Sequence, residues 1–130
     1  MMQIHTLTTF AAIYINLVFA VGRNTEAEMI TAILHDVVED SDWTFEGLRE
    51  AGFSAEALEA VNGVTSRSDE SYEQFIERAA RNPIARQVKI ADLEDNMNIL
   101  RIGEIKPKDL ERLEKYHKSW RSLTSAESEK

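Results

Sequence analysis

Helix-start signals recur along this chain, and no stretch alternates apolar and polar residues cleanly enough to make a half-buried strand. Thr25-Glu26-Ala27-Glu28 reads as a capping box opening a helix over about Glu26 to Val38, with Met29, Ile30, Ile33, Leu34 and Val37 on one stripe. Thr44 caps a short helix that Gly52 stops, and Ser54 caps another running to about Val64. Ser71 to Gln74 is a second capping-box pattern, for a helix to about Ala80. Asn82-Pro83 sets a cap before a proline in the first turn, where its missing N–H costs nothing, and starts a helix expected to reach about Arg101. Pro107 opens a last helix carrying Leu110, Leu113, His117, Trp120 and Leu123 at three- and four-residue spacing. The expected fold is all-α, one bundle of about six or seven helices. Residues 1–123 form the domain, with a first helix over 7–21, and the Ser/Glu-rich 124–130 are expected to be a flexible tail.

At 130 residues the chain suffices for a single core. Its net charge of -8 disfavours nucleic acid, which requires a basic footprint, but leaves room for a small phosphorylated ligand if a cation and local Lys or Arg reverse the sign inside a pocket. Arg67, Lys89 and Arg101 are the candidates for that. The apolar run Phe10 to Val21 is shorter than the roughly 20 residues a membrane span needs. Met1 to Thr9 has no Lys or Arg to make a secretory signal, so a buried first helix is expected and no membrane partner. The chain lacks cysteine, in keeping with a reducing cytoplasm. The same apolar helix offers a face on which two copies could pair as a homodimer.

The chemistry concentrates at His35-Asp36, which closes an apolar run and is followed by Val37-Val38-Glu39-Asp40. Acids grouped with a histidine beside apolar neighbours are costly to desolvate without a partner, and a divalent cation is the obvious one. Asp92 stands in a similar setting, with Asn96 one turn further on. If the two helices cross there, His35, Asp36 and Asp92 can converge on one ion. Glu39 and Asp40, expected just past the end of their helix, can then face the attacking water. The bland alternatives stay open at this level: a His-Asp pair occurs by chance, and an apolar-flanked Asp is often an ion-pair partner. Tyr72 could stack on a base but is more simply core, Trp43 could roof the pocket or be half-buried packing, and His117 reads as a core or surface histidine.

Ala32 to Asp40 (AILHDVVED) and Val88 to Met97 (VKIADLEDNM) resemble, in order and spacing, the two signature blocks of the HD-domain phosphohydrolases of the RelA/SpoT-type alarmone hydrolase branch. Gly63-Val64-Thr65 and Asn82-Pro83-Ile84-Ala85 fall between them in the expected order. The resemblance implies an all-helical fold, a divalent metal, usually Mn²⁺, and removal of pyrophosphate from the 3′ position of a guanosine tetra- or pentaphosphate. It makes His35, Asp36 and Asp92 metal ligands, Glu39 and Asp40 the groups that orient or deprotonate water, and Asn96 a nucleotide contact; Lys89 and Arg67 are expected beside the substrate on their charge alone.

The chain also departs from that pattern. The branch carries a further metal-binding His in a Tyr-Ile-x-His-Pro-Leu-like block, where this chain reads Ile13-Tyr14-Ile15-Asn16-Leu17-Val18. His5 or Asn16 would have to fill the vacant place. Leu93, Glu94 and Asp95 also replace the usual basic, apolar and His residues of the second block. Two functions are therefore weighed: a metal-dependent phosphohydrolase of a small nucleotide, or a degenerate HD domain serving as a catalytically weak ligand-sensing or dimerising module.

Overall fold

The computed structural model describes the backbone of residues 2–128 and the side chains of residues 11–125. Among them are seven α-helices and no strand: α1 (Met2–Ala20), α2 (Asn24–Asp40), α3 (Phe45–Glu50), α4 (Ala55–Gly63), α5 (Tyr72–Ala80), α6 (Pro83–Asn96) and α7 (Pro107–Ser128), with a single 3₁₀ turn at Ile99–Arg101. The all-α expectation holds.

Most helix starts follow from local chemistry. The Thr44 hydroxyl accepts from Gly47 N, and the Ser54 hydroxyl from Ala57 N. Ser71 and Gln74 close a reciprocal capping box, and Asn82 Oδ1 accepts from both Ile84 N and Ala85 N with Pro83 in the first turn. Past α3, Gly52 takes φ +102°, a left-handed conformation that a side chain would strain. The exception is α2. It begins at Asn24 with Arg23 at its cap and no side-chain capping bond, so Thr25 lies inside the first turn instead of capping it. The helix also continues through Glu39 and Asp40, which were expected beyond its end. α6 stops at Asn96, short of Arg101, and α7 runs on past Leu123 to Ser128.

The core has two parts. Ala12 and Ile15 of α1, Leu34 of α2, Leu48 of α3, and Phe53, Ala57, Leu58 and Val61 in or before α4 form one cluster. Ile76 of α5, Ile90 and Leu93 of α6 and Leu123 of α7 form the other, with Tyr72 and Trp120 packed against it. Tyr72 is thus core, as the bland reading held. α6 lies against α2 and α4 on one side and α5 and α7 on the other, and so joins the two halves. The join between α4 and α6 is tight: a Cβ on Gly63 would stand 2.6 Å from Ala85 Cβ.

α1 corrects the expectation of a fully buried helix. Ala12, Ile15 and Val18 are buried, whereas Ile13 and Leu17 are 60% and 58% exposed, as is Val21 just past the helix end at 58%. Among the described residues no helix is long and apolar enough to cross a membrane. Asn16 is occupied by the α3–α4 junction, donating to Gly52 O at 2.8 Å and accepting from Ser54 N at 2.7 Å.

Candidate metal centre

Between α2 and α6 lies a cavity of about 480 Å³. Thr25, Glu28, Met29, Ala32, His35 and Asp36 line it from α2, at the three- and four-residue spacing that puts side chains on one helical face. Gln87, Val88, Lys89, Ala91 and Asp92 line it from α6, and Val64 closes it from the end of α4. His35, Asp36 and Asp92 therefore share one cavity, as their placement on crossing helices requires.

At its edge, donor atoms of His35, Asp36 and Glu39 lie within 4.8 Å of one another, His35 and Asp36 lining the cavity and Glu39 standing beside it. Because α2 is continuous, Glu39 sits one turn after His35, and its Oε2 is 2.9 Å from His35 Nε2. Ligands sharing an ion at about 2.0–2.2 Å stand at most about 4.4 Å apart, so the spacing of this group is close to what a shared cation requires. One imidazole with two carboxylates suits manganese, iron or zinc better than a purely oxygen-seeking ion. The site fits a divalent metal.

Asp92 lies outside that group. It pairs with Lys89 Nζ at 3.0 Å, and Asn96 Nδ2 donates to its carbonyl at 2.9 Å and its Oδ1 at 3.1 Å. Lys89 is also held over the Phe75 ring, 5.0 Å from its centroid, so it faces the cavity from a fixed position. Asn96 acts on Asp92 and does not itself line the cavity, and neither do Glu39, Asp40 and Arg67. The Arg67 guanidinium instead donates to Asn62 Oδ1 at 3.3 Å. Asn16, spent on Gly52 and Ser54, is no replacement ligand, and the side chain of His5 lies outside the described residues.

Glu94 and Asp95, where the chain departs from the family pattern, have structural partners. Glu94 Oε2 accepts from Trp120 Nε1 at 2.9 Å, locking α6 to α7, and Asp95 pairs with Arg101 after the helix end. Sequence reasoning missed Glu28, Gln87 and Thr65. For Glu28 the signal was available: its spacing from Ala32, His35 and Asp36 places it on the site face, but the capping-box reading absorbed it. Thr65 approaches His35 from the α4–α5 loop, its Oγ1 3.4 Å from Nδ1.

Fold and site together define an all-α bundle with a candidate His-Asp metal centre between α2 and α6. Comparison with known proteins narrows this. The chain is 39% identical over 85 residues to the guanosine-3′,5′-bis(diphosphate) 3′-pyrophosphohydrolase MESH1 of Danio rerio, a match covering 62% of this chain and 46% of that protein. It is 34% identical over 80 residues to the enzyme of the same name from Aquifex aeolicus, and 34% over 82 residues to a probable GTP pyrophosphokinase of Mycobacterium leprae. Those matches cover 55% and 56% of this chain but 11% and 10% of the relatives. The chain thus spans less than half the length of each. No family model matches it. The resemblance to the RelA/SpoT-type hydrolases is borne out by these relatives.

Proposed function

We propose that this chain is a metal-dependent phosphohydrolase of a small nucleotide, releasing pyrophosphate from the 3′ position of a guanosine 3′-diphosphate 5′-(di/tri)phosphate. The observation that carries the reading is the convergence of His35, Asp36 and Glu39 within 4.8 Å, beside a cavity that His35 and Asp36 line and that Asp92 and Lys89 enter from the facing helix. The relatives' names support a hydrolase over a non-catalytic helical module. His35, Asp36 and Asp92 hold the ion, Mn²⁺ by preference, and Asp92 turns from Lys89 to do so. When bound, the ion polarises a phosphoryl oxygen and lowers the pKa of water. Glu39, released from His35 Nε2, accepts the proton of the attacking water, and Asp40 in the same turn supports it. Lys89 meets the phosphate, and Asn96 fixes Asp92. Arg67, on the α4–α5 loop, contacts the outer part of the nucleotide. The cytoplasmic setting expected from the sequence belongs to the same proposal.

The test is incubation with guanosine 3′,5′-bis(diphosphate) and Mn²⁺, following pyrophosphate by ion chromatography. Release that a chelator abolishes supports the reading. No release of pyrophosphate, with Mn²⁺ bound, would overturn the substrate assignment.

A further inference from the structure

The cavity between α2 and α6 changes its chemistry along its length. The two helices run in the same direction: Asn24 and Ala27 at the start of α2 share a neighbouring cavity with Pro83 and Ile84 at the start of α6, and Asp36 and Asp92 near their ends share this one. His35, Asp36 and Asp92 therefore line one end, and Thr25, Glu28 and Gln87 the other. Glu28 stands two helical turns before His35 on the same face, about 10 Å away along α2. Between the two ends the walls are apolar. Met29 is 63% exposed there, and Ala32 and Ala91, small and exposed on facing helices, leave room for a flat ring.

Glu28 and Gln87 are both half-buried at the end remote from the metal centre. A carboxylate there repels phosphate, so a phosphorylated ligand lies with its phosphates at the end of His35, Asp36, Asp92 and Lys89 and with its other end against Glu28. A carboxylate is an acceptor only, at two oxygens. Guanine offers it two donors side by side, the ring N1–H and the exocyclic amine, which a carboxylate takes in a bidentate, charge-assisted pair. Adenine presents an unprotonated N1 at the same place, and the two lone pairs repel. The Gln87 carboxamide carries a donor and an acceptor and can turn to suit either base, so it adds affinity and little discrimination.

We propose that Glu28 is the specificity-determining residue of the hydrolase, its carboxylate accepting from N1–H and the amino group of guanine, with Gln87 completing the base subsite and Met29 lying against the ring. This rests on the nucleotide-hydrolase reading above, which concerns the other end of the cavity. Pyrophosphate release is measured with Mn²⁺ from guanosine 3′,5′-bis(diphosphate) and from its adenosine counterpart. The wild type favours the guanosine substrate by at least about 100-fold in kcat/KM. Glu28→Gln, the same shape with one acceptor replaced by a donor, lowers that ratio at least about tenfold, the loss falling on KM for the guanosine substrate. Gln87→Ala raises KM for both substrates by similar factors. A purely structural Glu28 would leave the ratio unmoved.

Titration with guanosine 3′-monophosphate and adenosine 3′-monophosphate, which have no pyrophosphate to lose, separates the two claims. A guanine preference that Glu28→Gln removes, without pyrophosphate release by the wild type, leaves the base subsite standing and removes the reaction. Pyrophosphate release with a guanosine-to-adenosine ratio that Glu28→Gln leaves unchanged overturns the base subsite and leaves the hydrolase. Absence of any guanine preference in the wild type overturns the base subsite as well.

Discussion

His35 Nε2 and Glu39 Oε2 lie 2.9 Å apart, one turn of α2 from each other, so the imidazole N–H at Nε2 donates to a carboxylate. In the proposed hydrolase, a metal held by His35 would take the place of that proton and leave the Glu39 carboxylate free to act as base. Glu39→Gln keeps the shape and a hydrogen-bond acceptor but loses the base. Mn²⁺ affinity should change by less than about tenfold while turnover falls by roughly 10²-fold or more. Calorimetry and pyrophosphate release on the same preparation check this, and unchanged turnover rules Glu39 out as the base.

Lys89 is the cation that lines the cavity, held by Asp92 and the Phe75 ring. Loss of one charge-assisted hydrogen bond to a phosphate costs about 1.5–3 kcal/mol. Lys89→Met should therefore raise KM by about 10- to 100-fold. The same change releases Asp92, so Mn²⁺ should bind at least as tightly as in the wild type. Weaker Mn²⁺ binding in Lys89→Met would remove Asp92 from the ligand set.

The Arg78 guanidinium beside Glu70, aided by the Arg67 N–H, holds the Glu70 carboxyl below the usual carboxylate range despite its burial. A carboxylate whose pKa is lowered by folding stabilises the native state above its unfolded value, and that stabilisation is lost as pH falls through the lowered native value. Urea midpoints should thus decline on acidification from about pH 5 downward, and Glu70→Gln should flatten that decline while lowering the midpoint at neutral pH. Parallel pH profiles for the two proteins would contradict the pairing.

Gly63 tests the α4–α6 contact. A methyl group there would meet Ala85 Cβ at 2.6 Å, backed by helices on both sides. Gly63→Ala should destabilise by about 1–3 kcal/mol in denaturant unfolding, because overpacking outweighs the gain in helix propensity. A stabilised variant would show that the two helices separate easily.

Local chemistry made most of the fold legible. The caps at Thr44, Ser54, Ser71 and Asn82 are bonds across two or three residues, and each formed as read. The start of α2 escaped because Gly22, at φ +74°, turns the chain early and lets the helix begin ahead of Thr25. The exposed face of α1 escaped because an apolar stripe does not say how much of it will find a neighbour. His35 and Asp36 were legible as one dense motif, whereas Glu39 was expected past the helix end and not one turn from His35 within α2. The pairing of Asp92 with Lys89 was not, since a three-residue spacing allows it without requiring it. Thr65 could be reached only through tertiary structure, because 30 residues separate it from His35.

The most direct measurement is a calorimetric titration of chelator-stripped protein with Mn²⁺ near neutral pH, run on the wild type and on Asp36→Ala. A centre in which His35, Asp36 and Asp92 hold the metal predicts one ion at micromolar affinity or better in the wild type and none at that affinity in the variant. Equal binding by both proteins, or no binding by the wild type at millimolar Mn²⁺, would contradict it.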